Sequence, residues 1–209
     1  MNRANIELHN VDCMEYLRSC EDNAFELAIV DPPYGLGKRT TDGGSKRNTQ
    51  TKFMDDIRRT NWDDSIPPKG YFDELKRVSK NHIVWGGNYF ELYSYRTFVV
   101  WDKMTYVPTM SQVEMAATSF DSPARLVKIN SNQSDRIHPT QKPVKLYEWL
   151  LDNYAKEGDR ILDTHLGSGS IALACWNRRF DLVGCELDPD YFAAATKRIE
   201  KHKRQLQMF

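Results

Sequence analysis

The 209-residue sequence predicts an α/β protein built on a mostly parallel sheet. Three observations lead there. Short β-branched runs alternate along the chain with amphipathic helical patterns. One run, Glu26-Leu-Ala-Ile-Val30, is almost wholly apolar, as a central parallel strand covered on both faces must be, and it stops abruptly at Asp31-Pro-Pro. Towards the end of the sequence, strand, glycine turn, helix and strand follow one another from Arg160 to Glu186 at the spacing of a βαβ unit.

In order, Ile6–His9 reads as a short strand, and Asp12 stands three residues before Glu15 in a capping-box pairing that starts a helix. After the Glu26–Val30 strand, Phe72, Leu75 and Val78 share one helix face. His82–Gly86, Thr97–Trp101 and Glu114–Ser119 read as strands. Pro143 opens a helix in which Val144, Tyr147, Leu151 and Tyr154 recur on one face, and Gly158 is expected to close it. Arg160–Asp163 is a strand, Gly167–Ser170 a turn, and an apolar helix runs to Trp176. Asp181–Glu186 is the next strand, after which Asp188-Pro189 caps a helix carrying Phe192, Ala195 and Ile199 on one face. Lys38–Arg59 is the long stretch without periodicity. A loop of that length is usually functional.

Composition narrows the class further. At 40% hydrophobic and 28% charged residues the chain can bury a core. Its longest stretch without Asp, Glu, Lys or Arg is Thr164–Asn177, fourteen residues, whereas a bilayer span takes roughly 18 or more. No membrane association is expected, nor a secretory signal, since the first ten residues hold no apolar run. Cys13, Cys20, Cys175 and Cys185 follow no zinc-like spacing, so no metal is expected and a cytoplasmic location is. The 29 basic residues cancel the 29 acidic ones. Net charge alone therefore gives no sign of a nucleic-acid binder.

The glycine turn points to a nucleotide-like cofactor. Glycines let a ligand approach the backbone, and an acid closing the following strand, Glu186, can accept both ribose hydroxyls. A G-x-G turn is by itself weak. Two details separate the alternatives: Ala172 replaces the third glycine of a dinucleotide fingerprint, and Asp163 stands at the strand end. A carboxylate would repel a pyrophosphate but suits the ammonium and sulfonium of S-adenosyl-L-methionine (AdoMet).

Asp31-Pro-Pro-Tyr34 carries the chemistry. Strand ends are where open α/β sheets bind ligands. Pro32 and Pro33 remove two N–H donors and stiffen the turn, so the Asp31 carboxylate and a bare proline carbonyl can both accept from one planar amine. Tyr34 offers an aromatic face to a base. An exocyclic amine is a poor nucleophile because its lone pair is delocalised. Two acceptors favour its rehybridisation and stabilise the charge that develops on it.

Taken together, Asp31-Pro-Pro-Tyr34, His138-Pro-Thr-Gln-Lys-Pro143 and Asp163-Thr-His-Leu-Gly-Ser-Gly-Ser170 resemble the β-class DNA amino-methyltransferases, in which the catalytic motif precedes the cofactor motif in a circularly permuted order. Asp31-Pro-Pro-Tyr-Gly-Leu-Gly37 and Trp85-Gly-Gly-Asn-Tyr-Phe90 are similar to compact adenine-specific enzymes of phage and prophage type. The resemblance spans nearly the whole chain. It implies a Rossmann-like AdoMet-dependent methyltransferase fold with one antiparallel strand, and methyl transfer to adenine N6 in double-stranded DNA by base flipping. It implies cofactor contacts from Asp12 and Cys13, from Asp31, from Thr140, Gln141 and Lys142, from Asp163, His165, Gly167, Ser168, Gly169 and Ser170, and from Glu186 and Leu187. Lys142 would pair with the cofactor's carboxylate. His165 departs from the family, which usually has Phe there. Asp rather than Ser before Pro-Pro-Tyr favours adenine. Cytosine N4 or an RNA adenine are the alternative acceptors, and a non-catalytic DNA-binding module or a protein-glutamine methyltransferase fits less well.

Local charge restores what the total conceals. Lys38–Arg59, Ser122–Lys145 and Thr196–Arg204 each carry a net +4, against −5 for Met1–Gly37. Basic loops suit phosphate contacts. Residues 38–62 are expected to form a mobile DNA-contacting loop through Lys38, Arg39, Lys46, Arg47 and Lys52. The family's recognition segment maps to a small insertion at 102–137, with Lys103, Arg125, Lys128, Asn130, Asn132 and Gln133 as candidate contacts. The sequence leaves a homodimer and a restriction-endonuclease partner open.

Overall fold

A computed structural model describes residues 4–36, 66–90, 92, 97–106, 111–133, 136–138 and 140–205. The expected loop at 38–62, with its five basic candidates, lies outside the described residues. Eight strands form one sheet: β1 (Ile6–Asn10), β2 (Phe25–Val30), β3 (Ser79–Trp85), β4 (Phe98–Asp102), β5 (Val113–Thr118), β6 (Arg125–Lys128), β7 (Arg160–Asp163) and β8 (Asp181–Glu186). Their spatial order is β1-β8-β7-β2-β3-β5-β4-β6. β5 runs antiparallel to β3 and β4, and every other pairing is parallel. The sheet is thus mostly parallel with one antiparallel strand, as the sequence predicts.

Among the described residues five helices flank it: α1 (Cys13–Ser19), α2 (Lys69–Val78), α3 (Val144–Tyr154), α4 (Ser170–Arg178) and α5 (Pro189–Gln205). Strand alternation divides the core in two. Leu27 and Ile29 of β2 join Leu146, Leu150 and Ile171 on the side of α3 and α4. Ala28 and Val30 join Leu17, Tyr71 and Leu75 on the side of α1 and α2. A strand buried on both faces has no polar side to alternate with, which explains the unbroken apolar run.

The elements hold two corrections, one at a helix end and one at the sheet edge. α3 ends at Tyr154 with Ala155 as an extended cap, and Gly158 sits in the turn before β7 rather than closing the helix. β6 carries no sequence signal. Its four residues include one buried side chain, Val127, and it gains its place by pairing with β4 at the sheet edge. Segment 102–137, expected as an insertion, thus contributes two strands to the sheet.

Candidate active site

Parallel pairing brings the ends of separate strands to one edge. Asp31 follows β2, Gly86 follows β3, and Asp163 and Glu186 end β7 and β8. The antiparallel strand presents its beginning at this edge, so Glu114, opposite Trp101 of β4, lies level with those strand ends. Lys142 enters from the loop before α3.

These groups make a line of alternating charge. The Tyr34 hydroxyl donates to Asp31 Oδ1 at 2.6 Å, and Lys142 Nζ donates to Asp31 Oδ2 at 2.5 Å. The same ammonium lies 3.0 Å from Glu114 Oε2, and Lys103 Nζ lies 2.6 Å from Glu114 Oε1. The Lys142 side chain is only 2% exposed. An ammonium so buried needs carboxylate partners to remain charged, and it has two. Burial raises the Asp31 carboxyl above the ordinary range, with Lys142 opposing the rise and Glu114 adding to it. Burial acts on Glu114 in the same sense, but Lys142 and Lys103 outweigh it and hold that carboxyl low. Lys142 is raised against its own burial by the two carboxylates.

Tyr34 is held from several directions. Its ring stacks on Tyr89 at 4.9 Å and 17°, meets Phe90 edge-on, and presses on Gly86. A Cβ at Gly86 would come within 2.2 Å of the Tyr34 ring, and φ there is +71°. Only glycine fits.

Beside this line lies a cavity of about 450 Å³, walled by Asp31, Pro33, Thr140, His165, Gly167 and Glu186 among others. That size is ordinary for a small-molecule cofactor. Each Glu186 oxygen takes one backbone N–H, from Gly167 at 2.8 Å and from Asp188 at 3.0 Å. The carboxylate is thereby fixed, with lone pairs left for a ribose diol. Asp163, 2% exposed, has the His165 N–H at 3.0 Å as a partner, and burial pushes its carboxyl up to about 8. The fixed diol acceptor and the half-open cavity beside it fit AdoMet. When bound, it supplies an electrophilic methyl group on a sulfonium that departs as a neutral thioether.

Thr140, Gln141, Lys142, His165, Gly167, Ser168, Leu187 and Glu186 meet at this cavity with Asp31 and Pro33, and buried Pro32 lies between Asp31 and Pro33. Other expected cofactor residues, Asp163 among them, do not reach its wall. Asp12 caps α1, accepting from Met14 N and Glu15 N, and Cys13 Sγ lies 3.9 Å from His165 Nε2. Gly169 is the left-handed cap of α4; a Cβ there would sit 3.0 Å from Ile199 Cδ1, so the glycine admits α5. Ser170 is buried against Ser168 and Arg198. Gln141 lines the cavity, yet its side chain is spent on Gln133 and the Ile137 N–H. The most consequential difference from expectation concerns Lys142. Its ammonium is held by Asp31 and Glu114, not left free for a cofactor carboxylate.

The expected DNA contacts divide similarly. Lys103 is engaged by Glu114, and Gln133 is pinned to Gln141. Arg125 and Lys128 lie exposed on edge strand β6, where Arg125 donates to Asn153 and Lys128 stands 3.8 Å from Asp102. Asn130 and Asn132 are exposed in the loop after it.

Sequence reasoning missed Glu114, His138 and the role of Gly86. Glu114 had one signal, a lone acid at the head of a strand otherwise small and apolar. His138 packs on Tyr191 at 4.5 Å across the cavity wall, and burial pushes its imidazole down to about 4.

An α/β sheet with a nucleoside-sized cavity at its carboxyl edge, a diol-accepting acid and an adjoining Asp-Pro-Pro-Tyr turn defines an AdoMet-dependent methyltransferase. Residues 84–197, more than half of the chain, match the DNA methylase family of N6 and N4 methyltransferases, and the chain belongs to that family. Among curated relatives, the type II methyltransferase M.HpaI of Haemophilus parainfluenzae is 22% identical over 90% of this chain and 72% of its own length. M2.DpnII of Streptococcus pneumoniae is 25% identical over 95% of this chain and 91% of its own. Among solved structures, the M1.HpyAVI complex with AdoMet superposes with a TM-score of 0.62 at 18% identity, covering 92% of this chain and 99% of that one. The cytosine-N4-specific PvuII methyltransferase does so with 0.64 at 15% identity, covering 97% and 92%. The protein is thus a DNA methyltransferase that uses AdoMet. Among the described residues no cluster of His, Cys, Asp or Glu could hold a metal ion, and no helix is long and apolar enough to cross a membrane.

Proposed function

We propose that the enzyme methylates the N6 amine of adenine in double-stranded DNA, with Asp31 as the acceptor that orients the amine. The observation that carries this reading is a carboxylate on a proline-stiffened turn at the mouth of the cofactor cavity, 2.6 Å from an aromatic hydroxyl. One amine N–H donates to Asp31 and the other to the Pro32 carbonyl. The nitrogen forms its bond to the methyl group and sheds a proton, for which Asp31 is the adjacent acceptor. The flipped base stacks on Tyr34 where the Tyr89 ring now lies. Asp31, in place of the serine common in cytosine-directed relatives, supports adenine. Phosphates are met by the exposed Arg125 and Lys128 and by the basic residues of 38–62, and the loop around Asn130 and Asn132 takes part in sequence choice.

Incubation of unmethylated genomic DNA with AdoMet, followed by nucleoside mass spectrometry, tests the base directly. N6-methyladenine is the expected product. N4-methylcytosine would overturn the assignment, and methylation of RNA alone would overturn the choice of nucleic acid.

A further inference from the structure

We propose that Glu114 is a positioning residue that takes over the Lys142 ammonium when the amine of the target base replaces it on Asp31. The inference rests on the reading of Asp31 as amine acceptor. Both Asp31 oxygens are engaged, Oδ1 by the Tyr34 hydroxyl at 2.6 Å and Oδ2 by Lys142 at 2.5 Å. Each oxygen keeps a second lone pair, but an amine arriving on Oδ2 shares that oxygen with a charged donor at 2.5 Å, and in the exchange the ammonium gives way. Releasing a buried ammonium with nowhere to go would leave an uncompensated charge, which is strongly unfavourable. Glu114 Oε2 already stands 3.0 Å from the same Nζ, so a small shift completes the exchange. Lys103, at 2.6 Å on Oε1, keeps Glu114 ionised and aimed at Lys142.

The surroundings leave this exchange undisturbed. The Trp85 ring lies 5.2 Å from Lys142 Nζ and the Tyr34 ring 5.7 Å, both favourable to a cation moving between carboxylates. Tyr147 of α3 faces Asp31 as a neutral phenol. Asp163 at the end of β7 adds negative charge once ionised, and His138 from the loop is neutral at working pH. Glu114 is therefore the carboxylate within contact of Lys142 that is not required by substrate.

The test compares Glu114→Gln, Glu114→Asp and Lys142→Met with wild type in kcat, KM for AdoMet and the pH profile of kcat, with Asp31→Ala as the reference. In Glu114→Gln the ammonium rests on Asp31 alone. The plateau kcat should fall about a hundredfold, the cost of a misplaced reacting group, with KM for AdoMet unchanged. The acid limb, which reports Asp31 ionisation, should move to lower pH. Lys142→Met should move it to higher pH, and Glu114→Asp should restore most of the plateau. A Glu114→Gln enzyme at wild-type rate, or one that is slower with an unmoved acid limb, would overturn the proposal. Should that variant not fold, an unmoved limb in Lys142→Met would do the same. An active Asp31→Ala enzyme would instead remove the acceptor reading beneath it.

Discussion

At the residue scale, the site turns on which carboxylates are free. Asp31, Asp163 and Glu186 were legible because each ends an apolar run beside a turn motif, and the linear pattern alone marks such places. Glu114 was not, because its partners Lys142 and Asp31 are brought to it only by an antiparallel strand inserted between β3 and β4. Lys142 was legible as a motif residue, but its pairing with Asp31 and Glu114 was hidden for the same reason. Gly86→Ala forces a Cβ into the Tyr34 ring and a left-handed φ on alanine. It should lower kcat while AdoMet affinity, measured by calorimetry, holds, and cost about 1–2 kcal/mol in urea unfolding. His165 gives a pH-dependent expectation. Burial pushes its imidazole down to about 4. The unfolded chain binds this proton near 6.5 and the folded chain does not until about 4, so its contribution is complete above pH 6.5 and lost as pH falls towards 4. His165→Phe should remove that dependence. Urea midpoints of wild type should drop relative to the variant between pH 6.5 and 4.5, and parallel profiles would contradict the burial argument.

At the element scale, the parallel strands and their following helices were readable because both periodicities and the caps lie within a few residues. Asp12 shows the limit of local reading. The pairing with Glu15 gave its capping of α1, whereas a cofactor contact depends on what lies across the chain. Asp12→Ala should cost about 1 kcal/mol through the lost cap, and AdoMet affinity should stay within twofold if capping is its whole role. Edge strand β6 had no such local signature, since four residues with one buried side chain carry too little pattern to be told from a loop. Its presence changes how sequence choice should be probed. Replacing Asn130 and Asn132 together should alter the methylated sequence context while leaving the melting temperature unmoved, since both lie in the loop beyond the strand. Replacing Val127 should lower the melting temperature instead.

At the scale of the whole molecule, a net charge of zero conceals both a surface and an interior pattern. Part of the basic excess in Ser122–Lys145 is Lys142, spent inside the protein on two carboxylates, so the charge offered to DNA there is smaller than the sequence suggests. What the sheet supplies is a common edge at which a cofactor cavity and an acceptor carboxylate adjoin. The most direct measurement of that arrangement is transfer of labelled methyl from AdoMet to duplex DNA by wild type and Asp31→Ala, with AdoMet affinity determined on the same preparations. Transfer should be abolished in the variant while affinity stays within about twofold, because Glu186 and the glycine turn remain in place. An Asp31→Ala enzyme that turned over at a comparable rate would contradict the assignment of Asp31 as the acceptor.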